Sequence, residues 1–159
     1  MRIIEGTLDA SGLRIGLVAA RFNGAVVSLL VDGAIDCVAR HGGERDAIEL
    51  VWVPGSWELP VATAALARSG RVDAIVALGA VVRGETAHFD YVSSQAAEVG
   101  RVALDTGIPV ANAVLTTETY DQAVARSGGT AGNKGWEAAA SAIETARVLA
   151  RISGSAATT

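Results

Sequence analysis

The sequence predicts a three-layer α/β/α sandwich on a mainly parallel sheet. Four apolar runs of strand length alternate with stretches that carry helical spacing, and half of the 159 residues are apolar. Strands that are apolar throughout lie between two layers of helices, which is typical of parallel sheets. Right-handed crossovers between such strands give an open, doubly wound, flavodoxin-like sheet. The length fits one domain over residues 1–159.

The first strand and helix of this pattern occupy the N-terminal quarter of the chain. Residues 14–20 form a largely apolar run, and residues 25–41 then place their apolar side chains at helical spacing. The adjacent glycines Gly42 and Gly43 end that helix. Residues 47–53 are the second predicted strand.

The middle of the chain repeats the alternation. We predict a helix over residues 57–69, because Pro60 stands in its first turn and Gly70 follows its end. Residues 72–82 are the most hydrophobic strand, and the spacing of apolar residues predicts one continuous helix over residues 87–105.

The C-terminal third supplies a last strand over residues 109–115. A short helix ending near Arg126 follows, with Thr117 or Thr119 as its cap. A Gly-rich loop leads into the final helix, residues 135–152. Residues 153–159 are a small polar tail.

The N-terminus and the composition limit the class of protein. Residues 1–12 are a candidate edge strand, and Glu5 interrupts them before a secretory leader can develop. The longest apolar run is far shorter than the ~20 residues of a membrane span. The net charge of −4 argues against nucleic-acid binding. The single cysteine, Cys37, is predicted to be a buried apolar residue and suits a reducing cytoplasm. We therefore expect no membrane contact, and we expect no metal because the two histidines and the cysteine lack metal-ligand spacing.

Candidate functional residues collect at the carboxyl ends of the predicted strands, where doubly wound sheets bind ligands. Four of the seven aromatic residues and one of the two histidines lie in or beside these ends: Phe22, Trp57, Phe89, Tyr91 and His88. Loops at strand ends face water, and core packing does not require aromatic residues there. The pattern therefore predicts a ligand site.

Each candidate also has a structural interpretation. Phe22 can cap the core instead of stacking on a flat ligand. Glu58 can favour a helix N-terminus through the helix dipole, and His88 can be a surface residue at a helix start. The turn from Gly84 to His88 also suits an anion, since free backbone N–H groups meet the positive end of a helix there, beside the Thr86 hydroxyl. A histidine just beyond such a turn can move protons next to a phosphate leaving group.

Five motifs in this order resemble one known family, from about residue 13 to residue 150. They are ARFN (20–23), VPGSWELP (53–60), ALGAVVRGETAHFDYV (77–92), VLTT (114–117) and AGNKG (131–135). Together they resemble the 6,7-dimethyl-8-ribityllumazine synthases of riboflavin biosynthesis. The stretch from residue 78 to residue 92 is the most specific of them.

The resemblance implies a transferase without a cofactor. Members of that family condense 5-amino-6-(D-ribitylamino)uracil with (S)-3,4-dihydroxy-2-butanone 4-phosphate to give the lumazine, phosphate and water. A flavodoxin-like flavin-binding protein without catalysis is the alternative, and it would share the fold and the strand-end site. Such a carrier would need neither His88 nor Arg126.

The resemblance also implies a role for each site residue. His88 matches the proton-transfer residue, and Phe22 matches the residue that stacks on the pyrimidine. The other matches fall into four groups: Ser56, Trp57 and Glu58 at the ribityl chain; the backbone of Ala80, Val81 and Val82 at the uracil edge; Glu85 and Thr86 at the phosphate end of the butanone; and Asn112 and Arg126 contributed by a neighbouring subunit.

Assembly follows from the same resemblance. Family members form pentamers, and many pack twelve pentamers into an icosahedral shell of sixty subunits, with the sites at subunit interfaces. The compact length of residues 127–135 and their Gly-Asn-Lys-Gly ending resemble those of shell-forming members. We therefore expect a homo-oligomeric shell, with riboflavin synthase as a candidate partner.

Overall fold

Four parallel strands form the central sheet of the computed structural model, which describes residues 1–154. The strand order is β2-β1-β3-β4. The strands are β1 (Ile15–Ala20), β2 (Ile48–Val53), β3 (Ala74–Val82) and β4 (Val110–Thr117). This is the flavodoxin-like order 2-1-3-4-5 without its fifth strand. The predicted fold class is confirmed.

Helices cover both faces of the sheet and complete three layers. They are α1 (Gly24–Arg40), α2 (Leu59–Arg68), α3 (His88–Ala97), α4 (Val99–Thr106), α5 (Tyr120–Ala125) and α6 (Lys134–Ser153). The helices α1 and α6 enclose one apolar cluster on one face, whereas α2 and α4 enclose a second cluster on the other. Along β1, Leu17 belongs to the first cluster and Val18 to the second, because successive strand side chains point to opposite faces.

Two predicted elements differ from the structure. The single helix predicted over residues 87–105 is two helices, separated at Glu98, whose ψ of −9° breaks the α-helical repeat. The Arg101 N–H accordingly bonds Glu98 O at 2.9 Å, three residues back. The predicted Gly-rich loop contains a short antiparallel hairpin of β5 (Ser127–Gly129) and β6 (Gly132–Asn133).

Within the described chain the N-terminal segment, residues 1–12, pairs with no strand, and the edge strand stays a prediction. Two arginines of α6 hold it instead. Arg151 Nη1 donates to Glu5 O at 2.7 Å, and Arg147 Nε donates to Asp9 O at 2.8 Å. A strand requires a hydrogen-bonded neighbour, and these backbone carbonyls bond to side chains.

The C-terminal helix is longer than predicted. It runs to Ser153, so the predicted tail of residues 153–159 begins inside α6, and residues 155–159 lie outside the described part of the chain. Within residues 1–154, no helix combines the length and the apolar character that crossing a bilayer requires.

Thr63 in α2 carries a stability prediction. It is 0% exposed, and among the described residues its hydroxyl is a buried polar group without a hydrogen-bond partner. We expect Thr63→Val to raise the free energy of unfolding by about 1 kcal/mol, because valine keeps the shape and removes the unpaired hydroxyl. Chemical denaturation measures this. Thr106→Val is the control, since the Thr106 hydroxyl donates to Val102 O at 2.7 Å and its loss should not stabilise. A lower denaturation midpoint for Thr63→Val would contradict the prediction.

Cys37 is buried, as the sequence predicted. Burial, and then the neighbouring Asp36 carboxylate, raise the pKa of the Cys37 thiol to about 11. Because the thiolate is the reactive form, we expect a thiol reagent at pH 8 to leave the folded protein unlabelled and to label one thiol per chain after unfolding. Rapid labelling of the native protein would show that the helix α1 opens readily around Cys37.

Candidate active site

A cavity of about 470 Å³ opens at the carboxyl ends of β1, β2 and β3. Nine of the twelve predicted site residues line it: Phe22, Ser56, Trp57, Glu58, Ala80, Val81, Val82, Thr86 and His88. Gly84, from the predicted anion turn, and Phe89, one of the predicted strand-end aromatic residues, also line it. The lining is completed by Pro54, Gly55 and Val92, to which the sequence assigned no individual role, although all three follow β2 or β3.

The strand connections explain why the cavity forms here. The neighbours β1 and β3 continue in opposite directions, β1 to β2 through α1 and β3 to β4 through α3 and α4. Their connecting helices leave on opposite faces, and a crevice remains between the two strand ends. The cavity therefore occupies the topological switch point of the sheet.

The strand β3 extends beyond its partner on the cavity side. Pairing with β1 ends at Ala19 and Leu78, whereas pairing with β4 continues to Val82 and Thr117. The last residues of β3 are thus paired on one side only. Their other backbone edge faces the end of β1, where the Asn23 side chain donates to Ala80 O, and the remaining backbone groups of this edge can receive the hydrogen-bonding edge of a flat ligand.

Phe22 projects into this space and does not cap the core. Its side chain is 71% exposed, and its backbone N–H donates to Pro54 O at 3.1 Å. The preceding Arg21 N–H donates to Val53 O at 2.8 Å, which continues the pairing of β1 with β2 past the strand end. The ring is therefore held on an ordered backbone with its face available for stacking.

The segment after β2 forms one turn of 3₁₀ helix, Ser56–Glu58, before α2 begins. Ser56 is buried against β3 at Gly79, where an added Cβ would lie 2.7 Å from Ser56 Oγ. The Glu58 carboxylate accepts from the Gly55 N–H at 2.9 Å. Glu58 therefore closes the turn by a hydrogen bond and also lines the cavity.

The turn after β3 presents donors at the start of α3. Thr86 Oγ1 accepts from the His88 N–H at 3.4 Å, and both residues are exposed. Within residues 1–154, the backbone N–H groups of Glu85 and Thr86 meet no protein acceptor. Free N–H groups beside the positive end of a helix dipole can donate to an anion. The Glu85 side chain itself lies outside the cavity lining.

Arg83, which precedes this turn, is engaged by other side chains of its own chain. Its Nε donates to Glu118 Oε2 at 2.7 Å, and its guanidinium stands 4.2 Å above the centre of the Phe89 ring. The bond to Glu118 raises the pKa of Arg83 above its ordinary value. Arg83 thus ties α3 to the end of β4.

Asn112 and Arg126 lie outside the cavity of their own chain. Asn112 lies on the edge strand β4, where its Oδ1 accepts from the Val114 N–H at 2.8 Å, and it faces a separate concavity. Arg126 follows α5 and donates from Nη1 to Gln122 O at 3.1 Å. One chain therefore brings together the strand-end residues and leaves these two elsewhere.

The chemistry available in the cavity follows from its lining. Apolar side chains and aromatic rings surround a few polar groups, notably the Glu58 carboxylate and the His88 imidazole. In the described part of the chain, no three or more His, Cys, Asp or Glu side chains are grouped to hold a metal ion. Such a site can stack a flat ring, bind an anion and transfer protons between the two.

Comparison with known proteins agrees with this arrangement. Residues 12–150 match the family described as 6,7-dimethyl-8-ribityllumazine synthase. The chain is also 52% identical over 150 residues to the 6,7-dimethyl-8-ribityllumazine synthase of Aquifex aeolicus (strain VF5). The aligned residues cover 94% of this chain and 97% of that protein. On the family match and this relative, the chain belongs to the 6,7-dimethyl-8-ribityllumazine synthases, transferase enzymes of riboflavin biosynthesis.

Proposed function

We propose that the strand-end cavity is where this chain condenses 5-amino-6-(D-ribitylamino)uracil with (S)-3,4-dihydroxy-2-butanone 4-phosphate. The observation that carries the proposal is the meeting of an exposed Phe22 ring and the His88 turn in one cavity. One feature suits a flat pyrimidine and the other suits a phosphate ester. The products are 6,7-dimethyl-8-ribityllumazine, phosphate and water.

The pyrimidine is proposed to lie between Phe22 and the open edge of β3. Its ring stacks on the Phe22 face, and its amide-like edge pairs with the backbone of residues 80–82, as an added strand would. The ribityl chain then extends toward the turn at Ser56–Glu58. There the Glu58 carboxylate can accept hydrogen bonds from the ribityl hydroxyl groups.

The butanone phosphate is proposed to bind at the start of α3. Its phosphate accepts from the backbone N–H groups of Glu85 and Thr86 and from the Thr86 hydroxyl. The Glu85 carboxylate repels a phosphate, so its backbone is the group that contributes. Arg126 of a neighbouring subunit supplies a guanidinium fork to the same phosphate.

The reaction then consists mostly of proton transfers beside that phosphate. The pyrimidine amine adds to the ketone and loses water to give an imine, phosphate leaves, and the enol tautomerises before the ring closes with loss of water. His88 adjoins both subsites and can give and take these protons. Positioning of the two substrates supplies much of the remaining acceleration.

Mixing both substrates with the purified protein tests this activity. Appearance of lumazine fluorescence together with free phosphate is the expected result. Absence of product, in a protein that purifies yellow with bound flavin, would instead support the non-catalytic carrier. The family match does not favour that alternative.

Arg126→Ala is expected to raise the KM for butanone phosphate by roughly ten- to a hundredfold, because the bidentate contact to phosphate is lost. The KM for the pyrimidine should change by less than about twofold, since the two subsites are separate. Arg126→Lys is the matched variant, because it keeps the charge without the bidentate fork. Its KM for butanone phosphate should lie between those of the wild type and Arg126→Ala. Steady-state kinetics with each substrate varied in turn measures this. A rise confined to the pyrimidine KM would contradict the assignment.

We further propose that the chain assembles into pentamers and into a shell of sixty subunits, with the sites between neighbours. Support comes from Asn112 and Arg126, which lie outside the cavity that they are proposed to complete. The compact hairpin β5–β6 leaves no long insertion before α6. Large apolar side chains such as Leu104, 84% exposed, also favour burial against another subunit.

Riboflavin synthase, which would take up the lumazine, is a candidate partner. The single buried Cys37 suits a cytoplasmic location.

A further inference from the structure

Asn23, directly after Phe22, has an unusual backbone conformation. Its φ of 57° and ψ of 40° are left-handed, and within residues 1–154 it is the only non-glycine residue with a positive φ. Asparagine tolerates this region better than most residues, although glycine tolerates it best. Residues held in this way persist where the surrounding structure fixes them, and they concentrate at ligand sites.

The Asn23 side chain does not cap the helix α1. Asn23 is the N-cap of α1, and an asparagine there normally accepts a backbone N–H of the first turn. In this chain its side chain makes no capping bond. Only its backbone carbonyl serves the helix, accepting from Val26 N at 3.0 Å and from Val27 N at 3.1 Å. The amide Nδ2 instead donates across the crevice to Ala80 O at 2.8 Å.

That bond occupies a particular place in the sheet. The pairing of β1 with β3 ends at Leu78, and Ala80 is two residues further along β3. The Asn23 amide therefore takes the place of a strand partner at the first carbonyl past the end of the pairing. Two hydrogen bonds therefore hold Phe22 in place: its own N–H donates to Pro54 O, and the side chain of the adjacent Asn23 donates to Ala80 O.

We propose that Asn23 is a positioning residue of the flat-ring subsite. Its amide bond to Ala80 O fixes the distance between the Phe22 ring and the open edge of β3, which is the gap that the pyrimidine enters. This inference rests on the proposed stacking role of Phe22. Asn23 is not among the residues that line the cavity, so its substitution is expected to change the fit of one substrate and to leave the phosphate subsite unchanged.

Two variants separate the amide from the backbone conformation. Asn23→Gly keeps the left-handed backbone and removes the amide, whereas Asn23→Asp keeps the shape and turns a donor into an acceptor facing Ala80 O. Both are expected to raise the KM for the ribitylaminouracil by roughly tenfold, because a small displacement of a positioning surface is costly. The KM for butanone phosphate should stay within about twofold, which a general loss of structure would not allow.

The decisive measurement repeats Asn23→Gly in a Phe22→Ala background. If Asn23 acts by positioning the Phe22 ring, adding Asn23→Gly to Phe22→Ala should raise the pyrimidine KM by less than about twofold, because the ring that Asn23 positions is already absent. Independent, multiplicative effects would overturn the inference, as would an unchanged pyrimidine KM in both Asn23 single variants. A Phe22→Ala variant with a wild-type pyrimidine KM would instead remove the proposed stacking role itself. Thermal unfolding of each variant identifies any that fail to fold.

Discussion

His88→Ala is expected to lower kcat by roughly ten- to a thousandfold, near the roughly hundred- to ten-thousandfold that general acid–base catalysis typically supplies. The imidazole lies at the rim of the cavity, next to the turn whose backbone N–H groups are proposed to hold the phosphate. Imine formation, phosphate loss and tautomerisation each move a proton at this place. The KM for either substrate should change little, because the ring and phosphate contacts belong to other residues.

The second histidine provides the matched control. His41 ends α1, its Nδ1 lies 2.7 Å from Cys37 O, and its ring packs edge-on against Trp136 at 5.6 Å. His41→Ala should therefore keep kcat while lowering thermal stability. Steady-state kinetics with both substrates saturating measures kcat in each variant. A wild-type rate for His88→Ala would remove this histidine from the mechanism.

The sheet and its covering helices could be predicted because their signals are local. The strand β3 is apolar along its whole length, since it packs against helices on both faces, and a run of that kind has few other interpretations. The cap of α5 was also predictable: the Thr119 side chain accepts from the Gln122 N–H at 3.2 Å. Hydrophobic pattern and capping chemistry both act over a few residues.

The elements that the sequence missed depend on contacts made over a distance or on one dihedral angle. Whether residues 1–12 form a strand depends on a partner, and within this chain α6 offers arginine side chains instead. The break at Glu98 leaves the apolar spacing of the helix intact, so periodicity carries no sign of it. The hairpin β5–β6 is too short to produce an alternating pattern.

The residues of the candidate site also fall into those that local sequence signals predicted and those that depend on distant contacts. Phe22 and His88 were predictable because aromatic and titratable side chains at strand ends are unusual, and the structure brings both into one cavity. The bond from Asn23 to Ala80 O joins residues 57 positions apart, and no spacing rule indicates it. The roles of Asn112 and Arg126 stay predictions, since they require a second subunit.

The purified protein is expected to form a shell of sixty chains. With 16.2 kDa per chain, such a particle has a mass of about 1 MDa. Light scattering gives the mass, and electron microscopy gives the shape. A particle of about five chains would contradict the shell and keep the pentamer. A monomer with full activity would contradict the shared site as well.

Mixed assemblies test the shared site directly. His88→Ala and Arg126→Ala each disable one half of every interface, so either variant alone should be poorly active at low butanone phosphate. Unfolded together and reassembled, the two chains pair at random, and about a quarter of the interfaces then combine an intact His88 with an intact Arg126 from its neighbour. Activity near a quarter of the wild-type value is the expected result. If both residues served the cavity of their own chain, no mixed interface would be intact, and the mixture would stay as inactive as its components.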